Sequence, residues 1–203
     1  MKTSFAFLLA IVLLHFSSCV TTYNKSGKAN LHPNYKTTIV DSVAVVYFTH
    51  HQTNISSMAT FEAESVLKQC RNISFLTASE TEELLQKAGV FVFPQHTTII
   101  LMDSLRKVIP YRYLLRGIDN QWDNPIFGDN PQGPKVNISL ELWDLRNSKI
   151  VWTFNGGEQS TAFGGEGVII SRAHKAQTQM NHLLKRAFKT WGGLCDFPKE
   201  IDE

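Results

Sequence analysis

Residues 43–48, Val-Ala-Val-Val-Tyr-Phe, leave no polar face. A strand written this way suits the centre of a sheet buried on both sides, so the surrounding chain must supply helices to cover it. The following residues do. Ser56-Ser57 offers an N-cap, and Ala59, Ala63, Val66, Leu67 and Cys70 recur at helical spacing. Residues 73–76 form a short strand. Both Thr77…Glu80 and Ser79…Glu82 then fit a capping box, with Leu84, Leu85 and Ala88 as the apolar face and Gly89 as the C-terminal stop. Within the 90–109 stretch, Leu101, Leu105, Val108 and Ile109 fit another helix, which Pro110 ends.

The second half changes period. Residues 111–118 alternate as a strand. In residues 136–143, Val136, Ile138, Leu140 and Leu142 alternate with Asn137, Ser139, Glu141 and Trp143, the pattern of a half-buried strand. A turn at 144–148 leads to a hairpin partner at 149–154. Gly156-Gly157 and the 163–167 stretch, Phe-Gly-Gly-Glu-Gly, read as loop. Residues 171–191 close the chain as a helix with the stripe Ala173, Ala176, Met180, Leu183, Leu184, Ala187, Phe188 and Trp191. The order is βαβα(α)βββα. It implies the α/β class, with a single mixed β-sheet packed with helices: parallel where strands and helices alternate, antiparallel in the late hairpin.

The N-terminus reads separately. Lys2 precedes an unbroken apolar run at 5–14, too short to span a bilayer, and Ser17-Ser18 leads into Cys19. This arrangement resembles the lipobox of bacterial lipoproteins, with Phe16 in place of the usual aliphatic residue. The resemblance implies that residues 1–18 are a signal peptide and that Cys19 is the acylated first mature residue. Two or three acyl chains anchor stably where one does not. The other reading is an ordinary secretory signal cut after Cys19. Residues 19–38, polar with Gly27 and Pro33, read as a flexible tether with a reach on the order of 25 Å. A single domain over 39–195 and a tail over 196–203 complete the division.

With Cys19 spent on lipid, Cys70 and Cys195 are an even pair in a compartment that permits disulfides; they are candidates for one, or else free buried thiols. The formal net charge of +2 gives no electrostatic reason to expect nucleic acid. No motif for a cofactor, a metal or a catalytic set emerges. His50 and His51 are adjacent and point to opposite sides of a strand. His174 and His182 lie two helical turns apart. Glu80, Glu82 and Glu83 are explained by capping. Gly164-Gly165-x-Gly167 lacks the context of a phosphate loop, and no nucleophile elbow is present. Asn54, Asn72 and Asn137 form glycosylation sequons, which matter only under the secretory reading.

Three segments, SVAVVYF at 42–48, YRYLLRGID at 111–119 and VNISLELWDLRNSKIVWTF at 136–154, together resemble the α/β domain shared by curli-secretion-type lipoproteins, penicillin-binding-protein activator lipoproteins and the N-terminal domain of the Tol-Pal translocation protein. That family implies a non-catalytic envelope domain that binds proteins or assembles. Val20 rather than Asp after the cysteine points, by analogy with enteric bacteria, to the periplasmic face of the outer membrane. A self-assembling complex component and a cell-wall-acting enzyme are the rival readings. The residues singled out for partner contact are Trp122 and Phe127, in the proline-rich 121–135 loop, and Trp143 on the polar face of its strand.

Overall fold

The computed structural model describes residues 22–32, 40–49, 53–71, 73–90, 99–122, 135–161, 169–191 and 195. Within them lie six strands and four helices: β1 (Thr22–Leu31), β2 (Ser42–Val45), α1 (Thr53–Leu67), β3 (Ser74–Leu76), α2 (Ala78–Lys87), α3 (Ile99–Val108), β4 (Tyr113–Trp122), β5 (Lys135–Asp144), β6 (Lys149–Thr161) and α4 (Ile169–Lys189). One mixed sheet runs in the order β1-β6-β5-β4-β2-β3. β2 pairs in parallel with β3 and β4, and the other pairings are antiparallel.

Alternation sorts the side chains into two cores. On one face Val43, Val45, Tyr113, Leu115, Ile138, Leu140, Leu142, Trp152 and Phe154 meet the stripe of α1 (Ala59, Ala63, Val66, Leu67) and that of α4 (Ala176, Met180, Leu183, Leu184, Ala187, Phe188). Trp152 Nε1 donates to Thr190 Oγ1 at 2.8 Å, and its ring meets Trp191 edge-on at 5.3 Å. On the other face Ala44, Leu114 and Leu145 meet Leu85 of α2 and Met102 and Leu105 of α3. β2 is thus covered on both sides, as its composition requires. Of the two candidate capping boxes the structure forms Thr77…Glu80: the Glu80 N–H donates to Thr77 Oγ1 at 3.2 Å and the Thr77 N–H to Glu80 Oε2 at 2.8 Å. Gly89 follows α2 at φ 67°, a left-handed position suited to glycine.

Three expectations are corrected. The 19–38 segment is not simply a tether, because residues 22–31 form β1, paired with β6 in unbroken register from Thr22↔Thr161 to Leu31↔Trp152. Gly156 and Gly157 are not loop but lie inside β6. A Cβ on Gly156 would sit 2.7 Å from the Phe154 ring and 2.9 Å from the Ser26 carbonyl, so only glycine lets β1 and β6 close here. The loop expected over 121–135 is shorter at both ends, since Gln121 and Trp122 continue the β4–β5 ladder and Lys135 pairs with Gln159 in the β5–β6 ladder. Gly117 has a related role: a Cβ there would meet the Phe48 ring at 2.4 Å.

Candidate functional site

The structure separates the sequence-predicted residues. Cys70 and Cys195 meet, with Cα atoms 4.3 Å apart and a disulfide between them. It ties the end of α1 to the segment beyond α4. Trp143 is half-buried: it packs against the second core, and its Nε1 donates to Glu141 Oε2 at 3.0 Å. Trp122 closes β4 opposite Val136. Cys19, Phe127, His50, His51 and the 163–167 glycines lie outside the described residues. Glu80 is spent on the cap, where hydrogen bonds from Thr77 hold its carboxyl below the usual range, and Glu83 pairs with Lys87.

The interior holds several acids, most with a structural use. Asp144 organises the β5–β6 turn. It accepts from Arg112 Nη2 at 2.8 Å and Nε at 3.2 Å, from the Arg146 N–H at 2.9 Å and from Asn147 Nδ2 at 2.8 Å. Burial pushes its pKa up, but these donors outweigh burial and hold the carboxyl below the usual range. Glu62 of α1 accepts from Gln177 and Asn181 of α4, pinning the two helices together. Arg186 Nη2 lies 3.0 Å from Glu158 Oε1, an ion pair off hydrogen-bond alignment. Asp119 differs. It is 2 % exposed, and neither carboxylate oxygen has a partner in hydrogen-bond geometry. Burial pushes its pKa up to about 7, only partly offset by the Gln121 backbone N–H. Among the described residues, no group of three His, Cys, Asp or Glu is placed to hold a metal ion, and no helix is long and apolar enough to cross a membrane.

The surface carries a feature that the sequence reading did not single out. Phe61 is 63 % exposed, Met58 46 % and Tyr47 40 %. Met58 and Phe61 are neighbours three residues apart on α1. The Phe48 N–H donates to Thr60 Oγ1 at 2.9 Å, which brings the backbone beside Tyr47 up to the backbone beside Phe61. The signal was available: at a 3.6-residue period Phe61 falls opposite the Ala59–Ala63–Val66 stripe, so an amphipathic reading of α1 puts a phenylalanine in water. A grouped apolar surface of this kind is suited to contact with another apolar surface rather than to chemistry.

Beyond α2 and α3, the other face of the sheet carries polar side chains among the described residues. Arg116 Nη1 and Glu141 Oε2 lie 3.9 Å apart there, and Asn120 Nδ2 reaches Asn137 Oδ1 at 3.2 Å and Ser139 Oγ at 2.7 Å. These are polar cross-strand contacts rather than an apolar patch.

No protein-family model matches the chain, and no curated protein matches it. Solved structures with a similar chain path include the PelC dodecamer from Paraburkholderia phytofirmans, 15 % identical over 86 % of this chain and 100 % of that one, with a TM-score of 0.48. Lipoprotein GNA1162 from Neisseria meningitidis is 15 % identical over 70 % and 98 %, at 0.47. The LpoB C-terminal domain from Salmonella enterica is 13 % identical over 59 % and 83 %, at 0.40.

Proposed function

We propose that this chain is a lipid-anchored module of the bacterial envelope that works without catalysis, by binding another envelope protein through the outer face of α1. The observation that carries the reading is the exposure of Phe61 and Met58 on a helix whose opposite face is used by the core, with Tyr47 also exposed in the segment after β2. The residues before the fold support the anchor: Lys2, the apolar run and Ser17-Ser18-Cys19 supply what acylation at Cys19 needs. PelC, described as a dodecamer, and the protein described as a lipoprotein supply the precedent for assembly and for anchoring.

Self-association by strand addition at β1 is disfavoured, because this edge carries the exposed Lys28, a charge that resists pairing with a second edge. The test is a photo-crosslinking residue at position 61 in the full-length protein within its native envelope, with a second at the exposed Lys149 as control. An adduct to one distinct protein from position 61 and none from 149 is the expected outcome. An adduct of twice the chain's own mass redirects the reading to self-assembly. Equal labelling from both positions overturns it.

A further inference from the structure

β1 starts at Thr22, three residues after Cys19. Three residues of extended chain span at most about 10 Å. β1 is fixed along its whole length to β6, so the level of Thr22 defines one end of the sheet. Thr161, Lys135 and Trp122 lie at that same end by register: Thr22 opposes Thr161, Lys135 opposes Gln159, and Trp122 opposes Val136. The strand directions bring more of the chain there. β2 runs parallel to β4 toward this end, so α1 starts near it and runs back toward Cys70; α4 likewise starts after β6 has ended there. The β5–β6 turn at Leu145–Ser148 and the Cys70–Cys195 disulfide lie at the opposite end.

From this geometry we infer that the domain stands end-on on a phospholipid bilayer, with the Thr22–Trp122–Lys135–Thr161 end of the sheet facing the lipid and the β5–β6 turn facing away. The inference rests on the acylated Cys19 of the proposed function. A freely tethered domain would sample all orientations; a domain hydrogen-bonded to its own anchor within about 10 Å cannot turn its far end to the membrane, because β1 alone is a strut of roughly 30 Å. The exposed Met58 and Phe61 flank the middle of α1, so a partner that covers them meets the side of the molecule between the lipid-facing end and the far turn.

The test uses full-length acylated protein in vesicles of phosphatidylethanolamine and phosphatidylglycerol that carry a rhodamine-labelled headgroup. A fluorescent donor is placed on Asn120→Cys, exposed near the lipid-facing end, or on Asn147→Cys, exposed in the far turn. Cys70 and Cys195 are buried and bonded and do not compete for label. The two positions differ by roughly 20 Å along the strands, so transfer from 120 should exceed transfer from 147 by at least about twofold. A Gly/Ser insertion of ~15 residues before Thr22, with a reach on the order of 20 Å, should bring the two efficiencies together. Equal transfer from both positions, or more from 147, in protein whose mass shows acyl chains on Cys19 overturns the orientation and leaves the anchor standing. A mature mass without acyl chains overturns the anchor and the orientation with it.

Discussion

Asp119 sits in an environment at odds with what its side chain prefers. Its carboxyl is buried on the core face of β4 and is held up to about 7. An unfolded chain releases the same proton near 3.8. The folded state therefore binds the proton more tightly between these values. The associated stability is full below about 3.8, declines as pH rises through about 7, and is constant above it. The ceiling on the effect is about 4 kcal/mol. Asp119→Asn keeps the shape and removes the titration. Denaturant unfolding of the two proteins across this range should show a stability loss with rising pH in the wild type that is much reduced in the variant; parallel curves would rule Asp119 out as the source. Nothing in the sequence marks this residue, because an aspartate near the end of an alternating strand reads as solvated. Its burial follows from the register with β5, which sets it opposite Ile138 on the core side. Asp144, by contrast, was legible as a turn residue, although its contact with Arg112 was not, since that pair joins strands rather than neighbours.

At the scale of the element, α2 shows how a local rule is used. Its capping box was readable from Thr77 and Glu80, and a further donor, the Ala78 N–H, goes to Glu64 Oε1 of α1 at 2.7 Å. Thr77→Ala removes the cap's acceptor and should destabilise by about 1 kcal/mol. Native-state hydrogen exchange should show lost protection concentrated in α2, with α4 unchanged; uniform loss across both helices would mean that the cap supports the whole fold. β1 shows the reverse case. Thr-Tyr-Asn-Lys-Ser-Gly-Lys-Ala-Asn has no apolar alternation, because an edge strand gives the core only one narrow face. On that face Gly27 is small for a physical reason: a Cβ would lie 3.0 Å from the Phe154 ring. Gly156 mirrors it in β6. Both glycines read locally as breakers, and both are there because two backbones and one aromatic ring converge. The strand is visible only once its partner is known.

At the scale of the whole molecule, the disulfide is the long-range restraint. Cys70 and Cys195 are 125 residues apart in sequence, and in the chain-entropy view a cross-link of this length stabilises by roughly 4–5 kcal/mol. Reduction with a mild thiol should lower the unfolding midpoint by a corresponding amount, and Cys70→Ala with Cys195→Ala should behave like the reduced protein. A midpoint unchanged in the double variant would show that the bond contributes nothing to the folded state. The sequence offered the pair only as candidates; spacing alone does not reveal that α1 and α4 run in the same direction and deliver both sulfurs to one end.

The pairing of β1 with β6 also fixes an order of events. Ser26 and its neighbour Gly157 are 131 residues apart, and a chain synthesised N-terminus first presents β1 long before β6 exists. The first strand made is thus the last to be completed, and until then its backbone donors and acceptors are held by water. Its low apolar content, which hides it from a reader of the sequence, is also what lets it wait in solution without sticking to the wrong edge.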